Sequence, residues 1–278
     1  MRMYLRFPSG KAKALTLSYD DGVVQDEHLI QILDRYGIKC TFNLNSGLFA
    51  QEDGNNRTLL SDHRMTAIRA RSLYYNSGHE IAAHGKDHTF LDELPPDVAI
   101  SEVWEDRKAL ETMFGGFVRG FAYPFGTYNQ QLCQNLAQLG IAYARTVKAT
   151  ADFSLPDDWY CWHPTCHHDH PQMLSLARTF TEMDACWNSK LFYLWGHSFE
   201  FDQHDNWEVI EEFCKITGSR NDIWYATNIE ICDYVREFRQ LRISADGKTI
   251  HNPTEIHLWA DFDGVTREFP PAETVTIY

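Results

Sequence analysis

Strand-like and helix-like stretches alternate seven or eight times along this chain, and no other feature restricts its fold as much. Short apolar runs open near residues 14, 39, 80, 118, 141, 191 and 222. Between them lie stretches with apolar residues at helical spacing, at 25–36, 61–75, 97–113, 129–139, 171–187, 207–216 and 229–239. A strand that recurs after each helix must pair in parallel, because the helix carries the chain back across the sheet. The expected fold is therefore α/β, a distorted (β/α) barrel of seven or eight strands. The rhythm changes after residue 240. Asp246-Gly247 and Asp263-Gly264 are hairpin-turn signals flanked by alternating runs at 255–262 and 273–278. Residues 1–240 are read as the barrel, and 241–278 as a small antiparallel β appendage covering one end of it.

The run at 14–22 reads Ala-Leu-Thr-Leu-Ser-Tyr-Asp-Asp-Gly. It alternates as a strand with at least one buried face, then delivers two adjacent carboxylates, Asp20 and Asp21, before Gly22 turns the chain. Barrel chemistry sits at the C-terminal ends of strands. There the sequence places Asp20 and Asp21, then His84 and His88, then Pro124-Phe125-Gly126, and finally His197. The two histidines are spaced i, i+4, so one turn of helix would align both imidazoles. With one carboxylate from the first strand they make a His₂Asp set. Three protein ligands and a free fourth position is the arrangement of a catalytic zinc.

Bulk properties narrow the class. Of 278 residues, 44% are hydrophobic, enough for a sizeable core, and the net charge of −14 argues against nucleic acid or an anionic membrane as partner. No apolar stretch approaches 18 residues. No secretory signal is visible at the N-terminus, and the seven scattered cysteines include no CxxC pair. The expectation is a cytoplasmic protein with reduced thiols.

Ser18-Tyr19-Asp20-Asp21-Gly22 resembles the first motif of the polysaccharide deacetylases, carbohydrate esterase family four. Gly78-His79-Glu80-Ile81 with His84 and His88 is similar to that family's second motif, and Tyr123-Pro124-Phe125-Gly126 to the tail of its third. The strand ending at His197 is similar to its last. The resemblance implies that Asp21, His84 and His88 hold a divalent metal, most simply Zn²⁺, with Co²⁺ or Ni²⁺ as alternatives. It also implies that Asp20 is the general base, that the backbone N–H of Phe125 helps hold the oxyanion, and that His197 is the general acid.

Two departures stand out. The third motif's arginine position is held by Ala122, and Arg119 would point to the opposite face. Arg145, near the end of the fifth barrel strand, is better placed to reach Asp20. Asp158-Trp159 matches the fourth motif in letters but lies in a proline-containing loop. The run His163-Pro164-Thr165-Cys166-His167-His168-Asp169-His170 offers a second metal site or a substrate rim. A partly buried histidine cluster near the mouth is the preferred reading, with His167 or His168 at the cleft. Tyr19, Pro124, Trp195, His167 and His168 are the candidate substrate contacts. The expected activity is metal-dependent removal of acetyl from an N-acetylated sugar, oligosaccharide or small amide. The alternatives are an O-acetyl esterase, another C–N hydrolase, or a noncatalytic carbohydrate-binding relic.

Overall fold

The structure, a computed structural model, describes residues 2–51 and 63–277. The polar loop expected at 51–57 and the first residues of the helix expected at 61–75 lie almost wholly outside the described residues.

The strands are β1 (Met3–Arg6), β2 (Lys13–Asp20), β3 (Cys40–Leu44), β4 (Glu80–Ala83), β5 (Gly120–Ala122), β6 (Tyr143–Arg145), β7 (Cys166–His167), β8 (Lys190–Gly196) and β9 (Ile223–Tyr225). They continue with β10 (Arg242–Ile243), β11 (Thr249–His251), β12 (Leu258–Phe262), β13 (Val265–Phe269) and β14 (Thr274–Thr276). The helices are α1 (Asp26–Arg35), α2 (Ala67–Tyr74), α3 (Pro96–Phe114), α4 (Gln130–Gln138), α5 (Met173–Glu182), α6 (Phe199–His204), α7 (Trp207–Thr217) and α8 (Asn228–Phe238).

The main sheet is parallel, in the order β6-β5-β4-β3-β2-β8-β7. One edge of β2 is shared: β9 pairs with its first residues and β3 with its last. The chain after β6 links the two ends of this sheet. Trp162 N–H donates to Ala144 O at 3.0 Å, and a few residues on, Thr165 N–H donates to Tyr193 O at 2.8 Å. The result is the distorted (β/α) barrel expected from the alternation.

Every residue of β2 is buried, as a central parallel strand covered on both faces requires. Leu15, Leu17 and Tyr19 join the apolar core that includes Leu29, Ile32 and Phe213. The other face carries Thr16, Ser18 and Asp20 into a polar barrel interior. Thr16 donates to Asn228 Oδ1 at 2.7 Å, and Asn43 Nδ2 donates to Ser18 Oγ at 2.7 Å. Such partners offset the cost of burying these groups. Period-two geometry thus sends Asp20 inward and Tyr19 outward.

Three local features go beyond the simple alternation. Residues 3–6 form a strand, because β1 finds an antiparallel partner in β12. Residues 160–162 lie in a short 3₁₀ turn (Trp159–Cys161) and its C-cap. The helix expected at 61–75 begins at Ala67, where the Thr66 side chain accepts from Arg69 N–H. Beyond α8, β10, β11 and β14 form one antiparallel sheet, and β1, β12 and β13 another. Leu258, Ala260 and Phe269 pack into the same apolar cluster as Ala14, Trp162 and Val235.

Candidate active site

Asp20 ends β2 with its carboxylate buried and fully engaged. Oδ1 accepts from Asn43 Nδ2 at 2.7 Å, and Oδ2 is ion-paired with the buried guanidinium of Arg145. Arg145 therefore meets the carboxylate that the sequence suggested, and its guanidinium also lies 4.4 Å over the Trp195 ring. Burial would raise the Asp20 pKa, but Arg145, His84 and His197 outweigh it and hold it down at about 2. Arg119 instead makes a two-pronged pair with Asp233 at 2.7 and 2.9 Å.

Asp21, His84 and His88 converge next to Asp20, with one ligand atom of each within 4.8 Å of the others. Asp21 Oδ1 lies 4.0 Å from His84 Nε2 and 3.9 Å from His88 Nε2. His84 and His88 are not on a helix. A turn after β4 brings them together, with Gly85 and His88 both at positive φ. His84 Nδ1 is 2.8 Å from Ala122 O, so the proton sits on Nδ1 and Nε2 is left as a lone-pair donor. Burial lowers the His84 pKa to about 4 and also lowers that of His88, so both rings are neutral at pH 7. Asp21 Oδ1 is buried with no hydrogen-bond partner; the Arg64 guanidinium approaches it at 2.9 Å as a charge contact. A buried carboxylate oxygen without a hydrogen bond, within 4.0 Å of the Nε2 atoms of two neutral imidazoles, fits a divalent cation.

His197 follows β8 on the other side of Asp20, with Nε2 3.8 Å from Asp20 Oδ2. Its Nδ1 lies 3.2 Å from Glu200 Oε2, a close charge contact without good hydrogen-bond direction. Burial would lower the His197 pKa, but Glu200 and then Asp20 override it and raise it to about 9. Glu200 is the carboxylate on this histidine, and sequence reasoning missed it. Its signal was the i, i+3 spacing at the start of α6. Asp158 does a different job, accepting from Tyr160 N–H at 2.8 Å to cap a 3₁₀ turn, while Trp159 is core.

The candidate substrate contacts divide by exposure. Phe125 is half exposed, stands at φ 57, stacks on Phe90 at 3.9 Å and meets the His88 ring edge-on at 4.5 Å. His167 is partly exposed beside Trp195, their rings 4.6 Å apart. Tyr19, Pro124 and His168 are buried and offer no face to a substrate; Trp195 keeps only 8% exposure. Tyr19 faces outward because Asp20 faces inward, and it packs against His168 and Phe201. A cavity of about 400 Å³ lined by Tyr74, His79 and Glu80 lies at the start of β4, the opposite end of that strand from His84.

Three residues of this mouth, Asp21 (φ 86), His88 (φ 51) and Phe125 (φ 57), hold left-handed backbone that side-chain-bearing residues rarely adopt. Such strain gathers where chemistry dictates the conformation.

The strand ends of this (β/α) barrel thus present an Asp-His-His cluster and a cationic histidine on either side of a carboxylate–arginine pair. The polysaccharide deacetylase family model matches residues 8–144, just under half of the chain. Over those residues the chain is similar to the polysaccharide deacetylases. It is 29% identical over 127 residues to an Arthroderma benhamiae protein assigned as a peptidoglycan-N-acetylglucosamine deacetylase. That stretch is 45% of this chain and spans about a quarter (26%) of the relative's length. A crystal structure of a Mycobacterium smegmatis protein assigned as a polysaccharide deacetylase superposes with a TM-score of 0.61 at 20% identity. It covers 85% of this chain and 94% of that one, a likeness of fold. A mutant, with restored enzymatic activity, of BA3943, a carbohydrate esterase family four pseudoenzyme of Bacillus anthracis, superposes at a TM-score of 0.50 and 14% identity, covering 83% and 70%.

Proposed function

We propose that this protein is a metal-dependent hydrolase that removes acetyl from an N-acetylated sugar or oligosaccharide. The observation that carries the reading is the convergence of Asp21, His84 and His88 beside the Asp20–Arg145 pair. Asp21, His84 and His88 hold the cation, Zn²⁺ in the first instance with Co²⁺ or Ni²⁺ able to replace it. Bound there, a divalent ion supplies Lewis acidity toward a carbonyl oxygen and acidifies a nearby water.

The chain's own groups do the rest. Asp20, ionised throughout the neutral range, takes the proton of the attacking water. Its pKa of about 2 makes it a weak base, so it works only on a water already acidified. Arg145 keeps this carboxylate charged and fixed in orientation. The Phe125 backbone N–H faces the oxygen on which negative charge develops. His197, cationic at neutral pH, gives its proton to the departing nitrogen. The acid and the base are neighbours, His197 Nε2 lying 3.8 Å from Asp20 Oδ2.

The stacked Phe90 and Phe125 rings suit the apolar face of a sugar. Residues 1–240 are proposed as the catalytic unit, and 241–278 as cover for the barrel end. No helix among the described residues is long and apolar enough to cross a membrane, and an acidic, carbohydrate-directed protein fits the cytoplasm.

The test is acetate release from N-acetylhexosamine oligomers, O-acetyl xylan and small cyclic amides, with Zn²⁺ or Co²⁺ added after chelation. Metal-dependent release from the first supports the reading. Release from O-acetyl xylan alone replaces it with an esterase. No release from any of them, with metal bound, points to a binding protein of the pseudoenzyme kind.

A further inference from the structure

A second group of ligand-type side chains lies on the leaving-group side of the mouth, and of these only Glu200 serves the reaction described above, through His197. We infer that His168, Asp169 and Glu200 form a second divalent-cation site, with His167 orienting the glutamate from its edge. The inference stands on its own geometry and does not depend on the deacetylase reading.

The key atom is Glu200 Oε2. Four nitrogens approach it: His167 Nε2 at 3.2 Å, His168 Nε2 at 3.1 Å, His197 Nδ1 at 3.2 Å and His197 N at 3.1 Å. One carboxylate oxygen has two lone pairs, so hydrogen bonding does not account for this crowding. His168 Nε2 and His197 Nδ1 are in fact buried with no hydrogen-bond partner.

The tautomers sort the roles. His167 Nδ1 accepts Asp169 N–H at 3.1 Å, so its proton lies on Nε2, toward Glu200. His167 is therefore a donor to the carboxylate and not a ligand. His168 Nδ1 lies 3.2 Å from the Tyr19 hydroxyl oxygen. A cation on Nε2 would place the His168 proton on Nδ1, toward Tyr19; Nε2 lies 3.1 Å from Glu200 Oε2 and 3.4 Å from Asp169 Oδ1. A cation among these three atoms would offset the repulsion between the imidazole lone pair and the two carboxylate oxygens, which His197 offsets from the far side of Glu200 only in part. Metal–ligand bonds of 2.0–2.1 Å in a tetrahedron put ligand atoms ~3.3 Å apart, close to the separations of His168 Nε2 from the two carboxylates.

The ring is also locked in place. His168 stacks on Phe201 at 4.2 Å and lies so close to Gly196 that a Cβ at that position would collide with it. Asp169, one-third exposed, opens the cluster to solvent beside His204. One imidazole and two carboxylates suit Zn²⁺ or Mn²⁺ rather than a soft ion.

The experiment is Zn²⁺ stoichiometry on the full chain after chelation, measured by calorimetric titration and by elemental analysis after gel filtration. Wild type is expected to bind two equivalents, Asp169→Asn one, Asp21→Asn one and the double variant none. His257→Gln, which changes an exposed histidine far along the chain, should keep two. If wild type binds one equivalent that Asp21→Asn keeps and Asp169→Asn loses, this site stands and the Asp21 site falls. If Asp169→Asn binds as much Zn²⁺ as wild type, the inference is overturned; Zn²⁺ held by Asp169→Asn at the Asp21 cluster shows that the variant is folded.

Discussion

Replacing Arg145 with methionine removes a buried cation from a buried carboxylate while keeping most of the volume. Asp20 is held at about 2 against an ordinary 3.8, nearly two units. At about 1.4 kcal/mol per unit, that is roughly 2–3 kcal/mol of pH-dependent stability. Because the folded pKa is the lower one, this stability is present above pH 3.8 and is lost as pH falls through 2. Without Arg145 the strongest influence opposing burial is gone, and the Asp20 pKa rises from its depressed value although His84 and His197 still lower it. Arg145→Met should therefore cost about 3–5 kcal/mol at pH 7, the usual penalty for breaking a buried pair. The loss should shrink as pH falls and Asp20 takes up a proton. The assay is urea unfolding of metal-free protein at pH 7, 5.5 and 4, for wild type, Arg145→Met, Asp20→Asn and the double variant. The double variant should be more stable than the sum of the single losses predicts, since neither partner is then left charged and alone. A loss that stays constant with pH, or strictly additive losses, would refute this account of the pair.

Asp20→Asn should abolish turnover while Zn²⁺ remains bound, read by acetate release and metal analysis together; unchanged activity would refute the base assignment. Asp21→Asn should remove one equivalent of metal and all activity. Activity should fall as pH rises through about 9, where His197 loses its proton. Glu200→Gln should move that limb toward acid by a unit or more, seen in a pH–rate profile, because the largest upward influence on His197 is gone. Phe125→Ala should raise KM for oligosaccharides several-fold more than it lowers kcat.

The barrel was legible because strand-helix alternation is local, and each strand end names the residue that follows it. That placed Asp20, Asp21, His84, His88 and His197 without reference to distant contacts, and the strand position of Arg145 pointed it at Asp20. Tertiary pairings were the features that hid. β1 exists because β12 lies beside it, some 250 positions later in the chain. The His84–His88 pair looked helical by spacing, but a turn with positive φ at Gly85 and His88 achieves the same convergence. Tyr19 looked like a mouth residue until the direction of Asp20 was known. Glu200 offered only its distance from His197, and a run rich in histidine does not reveal which ring nitrogens carry protons.

The left-handed torsions of Asp21, His88 and Phe125 set thermal robustness against usefulness. A screen that selected only for heat resistance would drift toward glycine at all three, relaxing the backbone at each. Such a chain would fold more comfortably and do nothing, having traded away two candidate ligands and an aromatic wall. Consensus stabilisation of this barrel should therefore leave those three positions alone.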